Sequence, residues 1–168
     1  GELLTELKNY PITEIYKRPH QVYEGVTHAD QELRMCACCH HLFLGKRLPK
    51  EYIYTNYNTI SAASEGSRLA LNNFYNFVCQ HASLSDVASI VDVGANDCTL
   101  LEKFISHGAA LIGIDPNVKS QNEKISCIND YIENVDLSDH CKGKTVFLSS
   151  HTIEHIYDVR GFVKNLAN

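Results

Sequence analysis

Two apolar runs, each ending in a carboxylate, constrain this chain more than anything else in it. Residues 90–93, Ile-Val-Asp-Val, lead into Gly94-Ala95-Asn96-Asp97-Cys98, and residues 110–114, Ala-Leu-Ile-Gly-Ile, lead into Asp115-Pro116. A short apolar run that reaches Asp-x-Gly and opens onto a helical segment reads as the first strand of a nucleotide-binding α/β unit. The second run puts Asp115 where a carboxylate meets a ribose. Together the two strand ends point to a bound adenosine.

The rest of the chain divides around these strands. Residues 1–60 are rich in Tyr, Pro, His and charged groups and lack a helical period, which predicts a small irregular region of short strands and loops held by something other than a large core. Residues 61–168 form the second domain. It starts with an amphipathic helix over 64–81, with Ser64 as N-cap and Leu69, Phe74, Phe77 and Val78 on the packing face. Strand and helix then alternate: strand 88–93, helix 99–107 closed by Gly108, and strands 110–114, 125–128 and 145–149, with a last helix over 159–166. That order predicts an α/β fold, a Rossmann-like parallel sheet with crossover helices.

Four strands and a closing helix amount to part of a doubly wound sheet. Three readings stand: an unusually small fold, a fragment, or a homodimer in which a second copy supplies the missing layer. A truncated or minimal domain is the preferred one. The chain has 168 residues, 44% of them hydrophobic and 21% charged, enough for one real core. Its formal charge of −5 argues against nucleic acid or an anionic membrane as main partner. No run has the length of a membrane span and the start lacks a signal-peptide layout, so a cytoplasmic location is expected. Seven cysteines, an odd number, fit reduced thiols better than a disulfide framework. Cys79, Cys98, Cys127 and Cys141 read as plain packing residues.

The turn after the first strand narrows the ligand. Gly94 lets the backbone turn sharply, and the N–H groups that follow are expected to face the ligand. Asp92 and Asp97 add negative charge, which repels a pyrophosphate and welcomes an ammonium or a sulfonium. Ala95, Asn96, Asp97 and Cys98 stand where G-x-G-x-x-G requires more glycine, against NAD or FAD and in favour of S-adenosylmethionine. His151 and His155 follow the fourth strand, at the sheet edge where ligands of open α/β folds collect. A neutral imidazole there can take a proton from an acceptor, and Glu154 can orient it or bind substrate. The alternative is that His151 caps the following helix and His155 is merely surface.

Residues 91–101, 113–116 and 151–158 together resemble class I S-adenosylmethionine-dependent methyltransferases. The closest likeness is to the sugar C-methyltransferases that carry a small zinc-binding region before the methyltransferase domain. In that subfamily a second Cys-x-x-Cys, a stretch with Tyr and Ser, a glycine turn and a His-x-x-Glu-His segment follow in order. Here these are Cys36 and Cys39, residues 56–61 with Tyr57 and Ser61, residues 92–97, and His151-Thr152-Ile153-Glu154-His155. The resemblance implies that Asp92, Gly94 and Asn96 line the methionine end of the cofactor. It further implies that Asp115 accepts from the ribose hydroxyls and that Asp130 lies beside the adenine. Tyr57 and Ser61 would reach over the active site, although Tyr57 packing on the core is an equal reading.

Cys36 and Cys39 are half of a tetrahedral zinc site, and the family's other pair lies upstream, where this chain has no cysteine. His20, His28, His40 or His41 can substitute, and free thiols are the competing reading. Two functions follow from the whole. One is methyl transfer to a small polar acceptor such as a sugar or nucleotide-linked sugar; the other is a non-catalytic cofactor-binding or interaction module.

Overall fold

The computed structural model describes residues 1–12, 20, 22, 25–50, 54 and 59–167. The chain forms two compact units, Gly1–Asn58 and Thr59–Asn168. Among the described residues, no helix is long and apolar enough to cross a membrane.

The first unit is a three-stranded antiparallel sheet of β1 (Glu2–Pro11), β2 (His28–Met35) and β3 (Leu42–Leu44), in that order. β1 is longer than the short strands expected here. It stays paired over ten residues because the register slips twice, between Leu3 and Thr5 and between Leu7 and Tyr10. Asn9 sits in the second slip at φ 49, a left-handed conformation that Asn tolerates, and its N–H donates to Asp30 Oδ1 at 2.9 Å. No described residue of this unit belongs to the buried apolar core. Polar contacts stand in its place: Glu6 lies opposite Glu32, and Lys46 Nζ bridges the two carboxylates at 3.8 and 3.1 Å.

The second unit is an α/β arrangement around a four-stranded, all-parallel sheet. Its strands are β4 (Ser89–Val93), β5 (Ala110–Ile114), β6 (Ile125–Ile128) and β7 (Thr145–Ser149), in the order β6-β5-β4-β7. β4 is buried at every position, as a strand covered on both faces must be. One apolar layer joins Ile90 and Leu111 to residues of the helices α1 (Glu65–His81) and α2 (Thr99–Glu102). The other joins Val91, Val93, Ile112 and Ile114 to Ile132, Leu137, Ile156 and Phe162, the last on α3 (Val159–Ala167).

Ser64 caps α1 as expected, its Oγ accepting from Ser67 N at 3.0 Å. The packing face is rotated from the expected one. Leu71, Phe74, Tyr75 and Val78, at i, i+3, i+4 and i+7, meet the core, while Leu69 and Phe77 are exposed. The predicted helix 99–107 is also different: α2 ends at Glu102, and Ile105–His107 is a 3-10 turn before Gly108 in the left-handed region. The reason is a buried stripe of period three. Cys98, Leu101 and Phe104 are all fully buried, and 3-10 winding stacks i and i+3 where an α-helix would rotate them apart. Phe104 then meets the Tyr75 ring edge-on at 4.9 Å.

Crossover helices are realised only between β4 and β5. Residues 115–124 reach β6 without a helix, and two 3-10 turns, Ile132–Asn134 and Leu137–Asp139, carry the chain toward β7. These short turns are enough to seat Ile132 and Leu137 on the sheet.

Candidate functional site

The chain leaves β4 for β5 and β6 on one side and returns to β7 on the other, so the switch of direction lies between β4 and β7. Ligands of open parallel sheets bind outside the carboxyl ends of strands at such a point. Asp92 is the penultimate residue of β4 and Gly94 follows it, Asp115 follows β5, Asp130 follows β6 and His151 follows β7.

Asp92 is 2% exposed, and its Oδ1 is buried without a hydrogen-bond partner. Burial, reinforced by the charge of Asp115, pushes its carboxyl up to about 7. Asp115 is raised too, chiefly by burial, against two backbone donors that favour its charged form. Asn117 N reaches its Oδ1 at 2.7 Å and Asn96 N its Oδ2 at 3.3 Å. Each carboxylate oxygen has a second lone pair, so these bonds leave Asp115 able to accept further donors.

Gly94 holds φ 84, and a Cβ there would overlap the Thr152 side chain, so this position admits only glycine. Thr152, which has no role of its own in the sequence motif, is thus the residue that closes β7's loop onto the β4 turn. A Thr after a strand gives no sign of that contact. Asn96 and Cys98 also take left-handed backbone, at φ 49 and 60. Five N–H groups of the turn are bonded within the protein rather than facing a ligand as expected: Gly94 N and Ala95 N donate to Ile114 O, Asn96 N to Asp115, Cys98 N to Ala95 O and Thr99 N to Asp97 Oδ1. A loop whose donors are committed in this way is a poor cradle for phosphate.

Asn96 and Asp97 act on the segment before α1. Asn96 Nδ2 donates to Thr59 O at 2.9 Å, and Asp97 Oδ2 accepts from Ala62 N at 2.7 Å. These two bonds draw the Ser61–Ala63 turn, with Ser61 half-buried, against the β4 turn. Tyr57 lies outside the described residues. Asp130 Oδ1 accepts from Tyr131 N and from Asn134 Nδ2, both at 2.7 Å, which ties this carboxylate to the 3-10 turn behind it.

His151 sits at φ 55, a conformation that costs energy in a non-glycine residue. Its side chain is 91% exposed, with Nδ1 4.0 Å from Glu154 Oε1. Glu154 and His155 are exposed on the Ile153–His155 turn, so His155 is at the surface as the plainer reading had it. His151 is not the cap of that reading. Thr152 holds the N-cap position of the turn, and the α3 start is held by Asp158, whose Oδ1 accepts from Gly161 N at 2.9 Å. Ser149 is a second residue missed in the sequence: its Oγ, at the end of β7, is buried without a partner.

In the first unit, Cys36 N donates to His41 O and His40 N to Cys36 O, closing a tight turn between β2 and β3 with His40 at φ 59. Backbone N–H groups of Cys39 and Cys38 point at the Cys36 sulfur, followed in effect by their thiols, and pull the Cys36 thiol down to about 7. Two thiols are half of a zinc site. Among the described residues no group of three His, Cys, Asp or Glu side chains could hold a metal, so those residues do not complete it.

The lone cysteines are not uniform packing residues. Cys98 is buried and Cys141 half-buried, whereas Cys79 and Cys127 are exposed. No family model matches the chain, and no curated protein sequence matches it.

Proposed function

We propose that the second unit is a Rossmann-like domain that binds S-adenosylmethionine and transfers its methyl group to a small polar acceptor, a sugar or nucleotide-linked sugar, in the cytoplasm. The observation that carries this reading is the buried, unpartnered Oδ1 of Asp92 beside a glycine-only turn at the sheet's switch point. A buried carboxylate without a partner suits an ammonium-bearing ligand, and Asp115 one strand away suits a diol. The committed N–H groups of the turn weigh against a pyrophosphate.

When bound, S-adenosylmethionine supplies a methyl group on a sulfonium, open to displacement by an acceptor atom. The residues of this chain supply alignment. Asp92 holds the amino-acid end, Asp115 the ribose, and Asn96 and Asp97 keep Ser61 over the turn. His151 removes a proton from the acceptor, with Glu154 orienting its ring.

Isothermal titration with S-adenosylmethionine and S-adenosylhomocysteine tests the reading. Both should bind, and Asp115→Asn should weaken binding by about 1.5–3 kcal/mol, the range for a hydrogen bond to a charged group. Absence of binding by either ligand overturns it. The 91% exposure of His151 favours the second reading, a cofactor-binding module without catalysis. Turnover lost in His151→Ala with binding intact supports the enzyme; binding without turnover in the parent chain supports the module.

A further inference from the structure

Gly113, in the middle of the sheet, is in register with Asp92 of β4 on one side and Cys127 of β6 on the other. Residues paired in this way point to the same face, so Asp92, Gly113 and Cys127 form one row across the sheet. Glycine leaves the centre of the row open, and the Cys98 thiol occupies it. A Cβ on Gly113 would lie 2.9 Å from Cys98 Sγ and 3.0 Å from the Ala95 Cβ. Seated over the glycine, Cys98 Sγ comes within 4.0 Å of Cys127 Sγ.

We propose that Cys98 and Cys127 are a dithiol pair that low-molecular-weight disulfides oxidise to a reversible intrachain disulfide. Three features support it. The sulfurs already lie 4.0 Å apart, so a bond of ~2.05 Å needs them to approach by about 2 Å. β6 is an edge strand, bonded to β5 alone, so it has freedom to move. Finally, Cys127 is exposed and Cys98 buried, which sets an order of events.

The Cys127 thiolate attacks one sulfur of the small disulfide. The reagent's S–S bond breaks, a mixed disulfide forms on Cys127, and one small thiolate leaves and takes up a proton. Cys98 then gives its proton to solvent and attacks Cys127 Sγ, expelling the second small thiolate. Two protein thiols are oxidised and one small disulfide is reduced to two thiols. Burial, the largest cause, pushes the Cys98 thiol far up and still acts once Cys127 carries the small thiol, so the second step is the slow one. Cys98 N–H bonds to Ala95 O and its carbonyl accepts Glu102 N, so the disulfide ties the turn between β4 and α2 to β6. The pairing rests on sulfur geometry and holds whatever ligand the second unit takes.

The test uses the full reduced chain incubated with oxidised glutathione, quenched by alkylation and mapped by peptide mass. The expected product is a peptide pair linked through Cys98 and Cys127, preceded by glutathione on Cys127 and returned to two alkylatable thiols by dithiothreitol. Cys127→Ser, at an exposed position, should fold as the parent does by circular dichroism and leave Cys98 reduced. The proposal is overturned if Cys127 stays glutathionylated beside a reduced Cys98, if Cys127 does not react, or if either cysteine links to a different one.

Discussion

The carboxylates of the antiparallel sheet and those at the ends of the parallel sheet are perturbed in opposite directions. In the first unit Asp30 lies below the ordinary range, chiefly through the Asn9 N–H, and Glu32 below it through Lys46 and Arg34. In the second, Asp92 and Asp115 lie above it, chiefly through burial. The difference follows from how each sheet is held. β1 is exposed along its whole length, so charge pairs and backbone donors in water hold its neighbours and favour ionised acids. β4 is buried along its whole length, and an acid placed there is desolvated.

Truncating the core gives the largest contrast between the two. Phe104→Ala should destabilise the second unit by about 3–5 kcal/mol, because the ring is fully buried against Tyr75. Leu7→Ala, on the exposed β1, should fall within about 0.5 kcal/mol. Urea unfolding followed by circular dichroism separates them, and a comparable loss in both would mean that the first unit has a core after all.

Acid gives the next largest. Asp92, at about 7 in the fold against an ordinary 3.8, binds its proton more tightly when folded. Its contribution to stability is therefore full below pH ~4 and is lost as pH rises through about 7. The thermal midpoint of the second unit should fall over that window, by the equivalent of roughly 4 kcal/mol, and Asp92→Asn should flatten the profile. A slope unchanged in Asp92→Asn would show that the buried group is not the source.

The smallest effect has the opposite sign. Glu32, lowered from 4.5, stabilises the first unit above the ordinary carboxylate range and loses that contribution as pH falls through its folded value. Amide NMR shifts of β2 and β3 should move on acidification below that range, less so in Glu32→Gln and less in high salt. Insensitivity to salt would argue that Lys46 and Arg34 do not hold the carboxylate.

Much of the second unit's frame was legible because its signals are local. Strands β5, β6 and β7 end where their apolar runs end, Ser64 caps the helix it precedes, and Gly108 adopts the left-handed turn expected of it. The α1 face was misjudged because Leu69 and Phe77 are as apolar as Leu71 and Tyr75; which of them meets the sheet depends on how the helix is laid down. β1 escaped because two register slips break the alternation by which a strand is read. The candidate site divides likewise. Asp92, Gly94 and Asp115 were visible as strand ends, whereas Thr152 against Gly94, and Asn96 and Asp97 holding residues 59–62, join positions far apart in the chain.

The sequence alone determined which residues end strands, where glycine must turn, and that carboxylates crowd the edge of a parallel sheet, since each follows from chain-local sterics and hydrophobic period. Only the tertiary structure decided that the turn's donors are spent on Ile114 and Asp115, that Asp92 Oδ1 is left unpaired, and that Cys98 settles over Gly113 within reach of Cys127. Those outcomes depend on strand order and register, which bring together groups that no local pattern links.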